Sequence, residues 1–143
     1  MNVKNILAIK GRNVITIGPD KSIKEAIALM DAQNIGALIV LDEDQQLVGI
    51  ISERDIIRAF VRREDVLSLP VSQLMTTKVI TGVPQDDIHS ISNLMTEHRV
   101  RHLPILSNGQ LVGIISIGDV VKRQRDTYKG EVDTLQTQLM GEA

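Results

Sequence analysis

Two serine–aspartate pairs carry the chemical promise of this chain. Ser52 stands three residues before Asp55, and Ser116 stands three residues before Asp119. Each pair follows the same apolar run, Leu-Val-Gly-Ile-Ile-Ser, once at Leu47–Ser52 and once at Leu111–Ser116. The runs have strand length and composition. After the first, a helix is expected over Glu53–Arg63 with Ile56, Ile57 and Phe60 inward. A strand that ends where a helix begins presents unpaired N–H groups and the positive end of the helix dipole. Phosphates bind well at such a junction. A carboxylate one turn into the helix accepts two hydrogen bonds, as many as the hydroxyls of a ribose donate. Hydroxyl, open N–H groups and carboxylate together suit a nucleotide. The same residues also spell the S-x-x-D capping box, which needs no ligand. A duplicated cap is still a cap, so both readings stand on these residues.

The duplication reaches well beyond the two pairs. Val14–Leu41 aligns with Val79–Leu106, and the lead-in Val3–Lys10 resembles Val71–Lys78, with Gly11–Asn13 present only in the first copy. A unit of about 60 residues is marginal alone, so the two must pack as one body. The expected division is 1–66 for the first repeat, 67–127 for the second and 128–143 for a helical tail.

Within each unit, an extended VITI (Val14–Ile17) or VITG (Val79–Gly82) comes first. A helix over Ser22–Gln33 follows, with Ser22 and Glu25 at capping-box spacing. Asp87 caps its counterpart, whose apolar face is Ile88, Ile91, Leu94 and Met95. GALIVL (Gly36–Leu41) and LVGIIS flank a short polar turn and read as an antiparallel hairpin. RHLPIL (Arg101–Leu106) and QLVGIIS (Gln110–Ser116) repeat it. Pro104 cannot donate to a ladder, so it marks an edge or a place where the backbone faces something other than a strand. In the tail, Val121, Tyr128, Leu135 and Val132, Leu139 fall at helical steps, interrupted by Arg125 and Gly130. A helix that docks on its own module or pairs with a second chain is one reading, and a frayed end is the other.

Composition removes several function classes. Phe60 and Tyr128 are the only aromatics, which argues against the stacking platforms of single-strand nucleic-acid binders. A net charge of −2 gives no pull towards a polyanion. The absence of cysteine removes thiolate metal sites and cysteine nucleophiles. His89, His98 and His102 have no carboxylate completing a compact ligand set, so no metal is expected. No nucleophile–base–orienter set is visible, so no catalytic residue is assigned. No apolar run approaches the ~20 residues of a membrane span, and no signal peptide is evident, so a soluble cytoplasmic protein with no membrane partner is expected.

Taken in order and spacing, the lead-ins, VITI and VITG, GALIVL and RHLPIL, and the two G-I-I-S-x-x-D segments resemble a tandem pair of CBS domains, a Bateman module, over most of the chain. The resemblance implies an α+β fold of two β-α-β-β-α repeats packed sheet to sheet about a pseudo-twofold axis. It implies a stand-alone regulatory sensor, not an enzyme, binding an adenine nucleotide in clefts between the repeats. AMP leads, with ADP, ATP or a dinucleotide such as NAD(H) as further ligands. Carried over by position, Asp55 and Asp119 hold ribose hydroxyls, and Ser52 and Ser116 contact phosphate. Thr16 and Thr81 lie near adenine, while Ala37, Leu103 and Pro104 wall the base. Arg101 and His102 sit where basic residues meet phosphate. Arg54 stands against Gly118, and Gly36-Ala37 against Arg101-His102, so two inequivalent sites are expected. The family also suggests a homodimer through the modules and a regulated partner protein. The alternatives are an enzyme acting on a nucleotide, with Arg54, Arg101 and His102 around its phosphate, and a scaffold with empty sites.

Overall fold

The structure is a computed structural model that describes residues 1–11 and 13–142. Helix α1 (Val3–Lys10) leads into β1 (Thr16–Ile17), α2 (Ile23–Gln33), β2 (Ala37–Leu41), β3 (Leu47–Ser52) and α3 (Glu53–Arg62). A short 3-10 turn at Val66–Ser68 and helix α4 (Val71–Leu74) connect to α5 (Ile88–His98), β4 (His102–Ser107), β5 (Gln110–Ser116) and α6 (Ile117–Glu142). The order repeats as the sequence does, and the fold is the expected α+β pair.

The helices start where side chains satisfy their first N–H groups. Ser22 and Glu25 form a reciprocal capping box on α2, and Ser52 and Asp55 form one on α3. Asp87 caps α5 by accepting from the N–H groups of His89 and Ser90. Each hairpin is antiparallel, pairing Ala37 with Ser52 and His102 with Ser116 at the ends nearest the helices. The turn of the second contains Asn108 and Gly109, both at positive φ, which suits a tight hairpin.

β1 pairs parallel with β2 through Thr16–Ile39 and Ile17–Val40. In the second repeat only the Gly82–Ile105 bridge remains. Pro104 accounts for the difference. Its carbonyl accepts from Gly82 N–H at 3.0 Å on the outer flank of β4, the flank where its own N–H is missing.

The packing units are not contiguous in sequence. Val3, Ile6 and Leu7 of α1 belong to the core of the second repeat, with Ile88, Ile91, Met95, Leu103, Ile105, Ile115 and Val120. Val66, Leu69 and Val71 belong to the core of the first, with Ile23, Met30, Leu38, Val40, Ile51 and Ile56. The backbone contacts are reciprocal. Val71 N–H donates to Lys21 and Ser72 to Pro19, while Val3 donates to Asp86 and Lys4 to Pro84. Each lead-in therefore docks on the other repeat. The glycine of each LVGIIS run makes room for it. A Cβ on Gly49 would lie 2.6 Å from Met75 Sδ, and one on Gly113 would lie 2.6 Å from Leu7 Cδ2.

One expected face is corrected. On α3, Ile56 and Ala59 are buried, but Ile57 and Phe60 are 63% and 47% exposed. The core touches a narrow stripe at i and i+3, and the adjoining residues face away from it. In the tail, α6 runs through Arg125 and Gly130 without a break, and Val121, Tyr128, Leu135 and Leu139 are exposed.

Candidate functional site

The Ser-x-x-Asp pairs are first of all caps. Asp55 Oδ2 accepts from the backbone N–H of Ser52 at 2.9 Å and from its hydroxyl at 3.1 Å. Asp119 Oδ2 accepts the same two bonds from Ser116, at 2.8 and 3.0 Å. This fixes both carboxylates at the mouths of their strand–helix junctions, half-buried and with little freedom of rotamer.

At the first junction lies a cleft of about 770 Å³ between the repeats. Gly36, Ile50, Ser52, Glu53, Arg54, Asp55, Ile57 and Arg58 form one side, all from the first repeat. The other side is Thr76, Lys78, Val79, Ile80, His98, Arg99, Val100, Arg101 and His102. Among its charges, the cations Arg54, Arg58, Lys78, Arg99 and Arg101 outnumber the carboxylates Glu53 and Asp55. The wall thus combines a strip of Ile and Val, one positioned carboxylate and an excess of cations. Besides the cap bonds, Asp55 is met by the Thr76 hydroxyl, 3.5 Å from Oδ1. That oxygen keeps most of its capacity to accept.

Of the residues carried over by position, the cleft brings together Ser52, Arg54, Asp55, Arg101 and His102. Ala37, Leu103 and Pro104 are buried in the paired strands behind it, and Thr16 and Thr81 are half-buried on the extended lead-ins. Ser116 and Asp119 form the corresponding junction of the other repeat. Arg101 stands next to that junction as well, since its carbonyl accepts from Ile117 N–H at 2.8 Å.

Two lysines that motif reasoning passed over matter at these junctions. Lys78 lines the first cleft. Lys10, at the same place in the other lead-in, donates to Asp119 Oδ2 at 2.6 Å and to the Ile114 carbonyl at 2.9 Å. Their shared position at the end of the aligned lead-ins was the available signal.

The titratable groups respond to this layout. Burial pushes the Asp119 carboxyl up, but the Lys10 ammonium and the Ser116 N–H together outweigh it and leave the group below the usual aspartate range. His102 is held below 6.5, first by burial and then by the Lys10 charge; Glu53 and Asp119 pull the other way. Among the described residues no cluster of three or more His, Cys, Asp or Glu side chains is placed to hold a metal. No described helix is long and apolar enough to cross a membrane.

Comparison with known proteins agrees with this architecture. The CBS domain family matches residues 3–62 and 71–126. The chain is 37% identical to the CBS domain-containing protein YhcV of Bacillus subtilis over 112 residues, 78% of this chain and 79% of that one. It superposes on the crystal structure of the CBS-domain protein ATU1752 of Agrobacterium tumefaciens with a TM-score of 0.84 and 43% identity, covering 86% and 92% of the two chains. The CBS domain pair of protein MJ0100, solved in complex with 5′-methylthioadenosine and S-adenosyl-L-methionine, superposes with a TM-score of 0.79 at 26% identity, over 89% and 98% of the chains. With two matched segments that together span most of its length, the chain belongs to the CBS domain family and carries two CBS domains in tandem.

Proposed function

We propose that this CBS pair is a regulatory module that binds an adenine nucleotide in the Asp55 cleft. The carrying observation is Asp55, held by its cap bonds with Oδ1 left to accept, inside a cleft whose cations, Arg54, Arg58, Lys78, Arg99 and Arg101, outnumber its carboxylates. Asp55 Oδ1 accepts from ribose hydroxyls. The apolar strip of Ile50, Val79, Ile80 and Val100 suits a flat base, and the cations suit phosphate. The volume lies within the range of small-molecule sites. The adenosine ligands of the MJ0100 pair support the choice of base and sugar. AMP, ADP, ATP and NAD(H) share those groups and differ in the phosphate they bring to Arg54, Arg99 and Arg101. The residues assigned by position to adenine, Thr16 and Thr81 with Ala37, Leu103 and Pro104, are part of the same proposal; Ser116 and Asp119 form the counterpart junction, where Lys10 already engages the carboxylate.

The role is sensing, not turnover. A bound nucleotide shifts the population of module conformations, and a partner protein that prefers one of them reads the shift. The exposed Ile57, Phe60 and Val61 of α3 give the proposed homodimer an apolar face.

Isothermal titration with AMP, ATP and NADH tests the reading. At least one of them is expected to bind, and Asp55→Ala is expected to weaken it by tenfold or more (about 1.4 kcal/mol). No heat and no thermal shift with any of the three overturns it. The nucleotide recovered after prolonged incubation is expected to be unchanged.

A further inference from the structure

The two Ser-x-x-Asp junctions have the same cap geometry and different neighbours. Asp55 forms no ion pair within 4 Å among the described residues, whereas Asp119 is paired with Lys10 at 2.6 Å. The Lys10 side chain is about one-third exposed, and its ammonium also donates to the Ile114 carbonyl at 2.9 Å. It bridges β5 and the Asp119 carboxylate.

The cause lies in the lead-ins. α4 ends at Leu74, and Thr76 then pairs with β3, exchanging both backbone hydrogen bonds with Ile50 at 2.8 and 3.0 Å. Lys78, two residues further on, is carried to the cleft wall. α1 instead stays helical through Lys10. The Ile114 carbonyl, equivalent to that of Ile50, is then met by a lysine side chain instead of a backbone N–H. The charges around the junctions reinforce the difference. Arg54 and Arg99 of the first cleft correspond by alignment to Gly118 and Asn34.

We infer that Lys10 is a built-in occupant of the second junction. It pairs with Asp119 Oδ2, the capping oxygen, beside the Oδ1 that would otherwise take a ribose, and so leaves the chain one nucleotide site, at Asp55. This rests on the nucleotide-binding reading and names the residue that makes its two related sites unequal. A nucleoside enters at Asp119 only when the Lys10 ammonium leaves both of its acceptors.

Calorimetric stoichiometry tests it, with AMP, ATP, NADH and adenosine as probes and thermal melts confirming that each variant folds. The wild-type protein is expected to bind one nucleotide per chain. Asp55→Ala should weaken that binding by tenfold or more, and Asp119→Ala should leave it within twofold. Lys10→Met is expected to gain a second site, for the nucleotide or for adenosine, that the added Asp119→Ala removes. Two sites in the wild-type protein, or a Lys10→Met variant that still binds one ligand, overturn the role of Lys10 while the nucleotide reading stands. Failure of the wild-type protein and of Lys10→Met alike to bind AMP, ATP, NADH or adenosine overturns the nucleotide reading, and the role of Lys10 with it.

Discussion

At the scale of single residues, the chemistry of this protein comes from side chains that serve twice. Asp55 caps α3 with one oxygen and offers the other to the cleft. His102 lines the same cleft while feeling Lys10 and Asp119 of the opposite junction. Burial holds it neutral more readily than an exposed histidine. Its folded pKa lies below 6.5, so the unfolded chain takes up a proton first as pH falls. The stability contributed by neutral His102 is therefore full above about pH 6.5 and declines below it, until the folded form protonates too. The charges that set this window come from the β4–β5 hairpin and its neighbours: Lys10 and Arg101 deepen the depression, while Glu53 and Asp119 oppose it. Melting curves across this range are expected to show a decline that His102→Gln flattens. Identical pH profiles for the two proteins would remove His102 from the account. Asp119 titrates in a separate and lower window, because its folded pKa is depressed below 3.8 and its contribution is lost only at stronger acidity.

Elements explain why the recurring LVGIIS carries a glycine. β3 and β5 are crossed closely by the lead-in of the other repeat, and Gly49 and Gly113 are the crossing points. At Gly49 an added methyl meets Met75 Sδ at 2.6 Å and the Thr76 carbonyl at 3.0 Å. The sulfur end can swing aside, but the carbonyl belongs to a backbone bridge with Ile50. Gly49→Ala is therefore expected to cost about 1–3 kcal/mol, the usual range for overpacking. A lower urea midpoint at unchanged slope is the expected readout, and a midpoint equal to that of the wild type would show that the crossing is loose. The capping boxes were readable from Ser22, Ser52 and Glu25 because a cap is local chemistry over three residues. The inward face of α3 was not, because Ile56, Ile57 and Phe60 all satisfy a helical period and only the neighbours decide which of them is covered.

The whole molecule is held by exchange. α1 contributes Val3, Ile6 and Leu7 to the second core, each at most 1% exposed. Burial of such side chains is worth about 1.5–3 kcal/mol each, and a domain of this size has roughly 5–15 kcal/mol in total. Removing residues 1–10 should leave the second repeat largely unfolded, with the amides of β4 and β5 losing their protection from hydrogen exchange. Protection that survives the truncation would mean the second core closes without α1. The same exchange forms the cleft, since its two sides come from different repeats.

By itself the sequence determined the duplication, the order of elements, the caps and the hairpins, because each is written in periodicity or in contacts a few residues apart. Family resemblance added the CBS pair and the nucleotide expectation, and the two unequal copies were visible in Arg54 against Gly118. What only the tertiary structure decided is which residues meet across the chain. Lys10 and Asp119 are separated by most of the sequence, and Lys78 shares the alignment position of Lys10 without sharing its contact. The local sequence marks a difference, since Ala8-Ile9 precedes Lys10 and Gly11–Asn13 follows it, where Thr76-Thr77 precedes Lys78, but it does not name the partner of either lysine. One lead-in stays helical to its end and the other unwinds onto a strand, and contacts over such a distance in the chain are made only when the repeats pack.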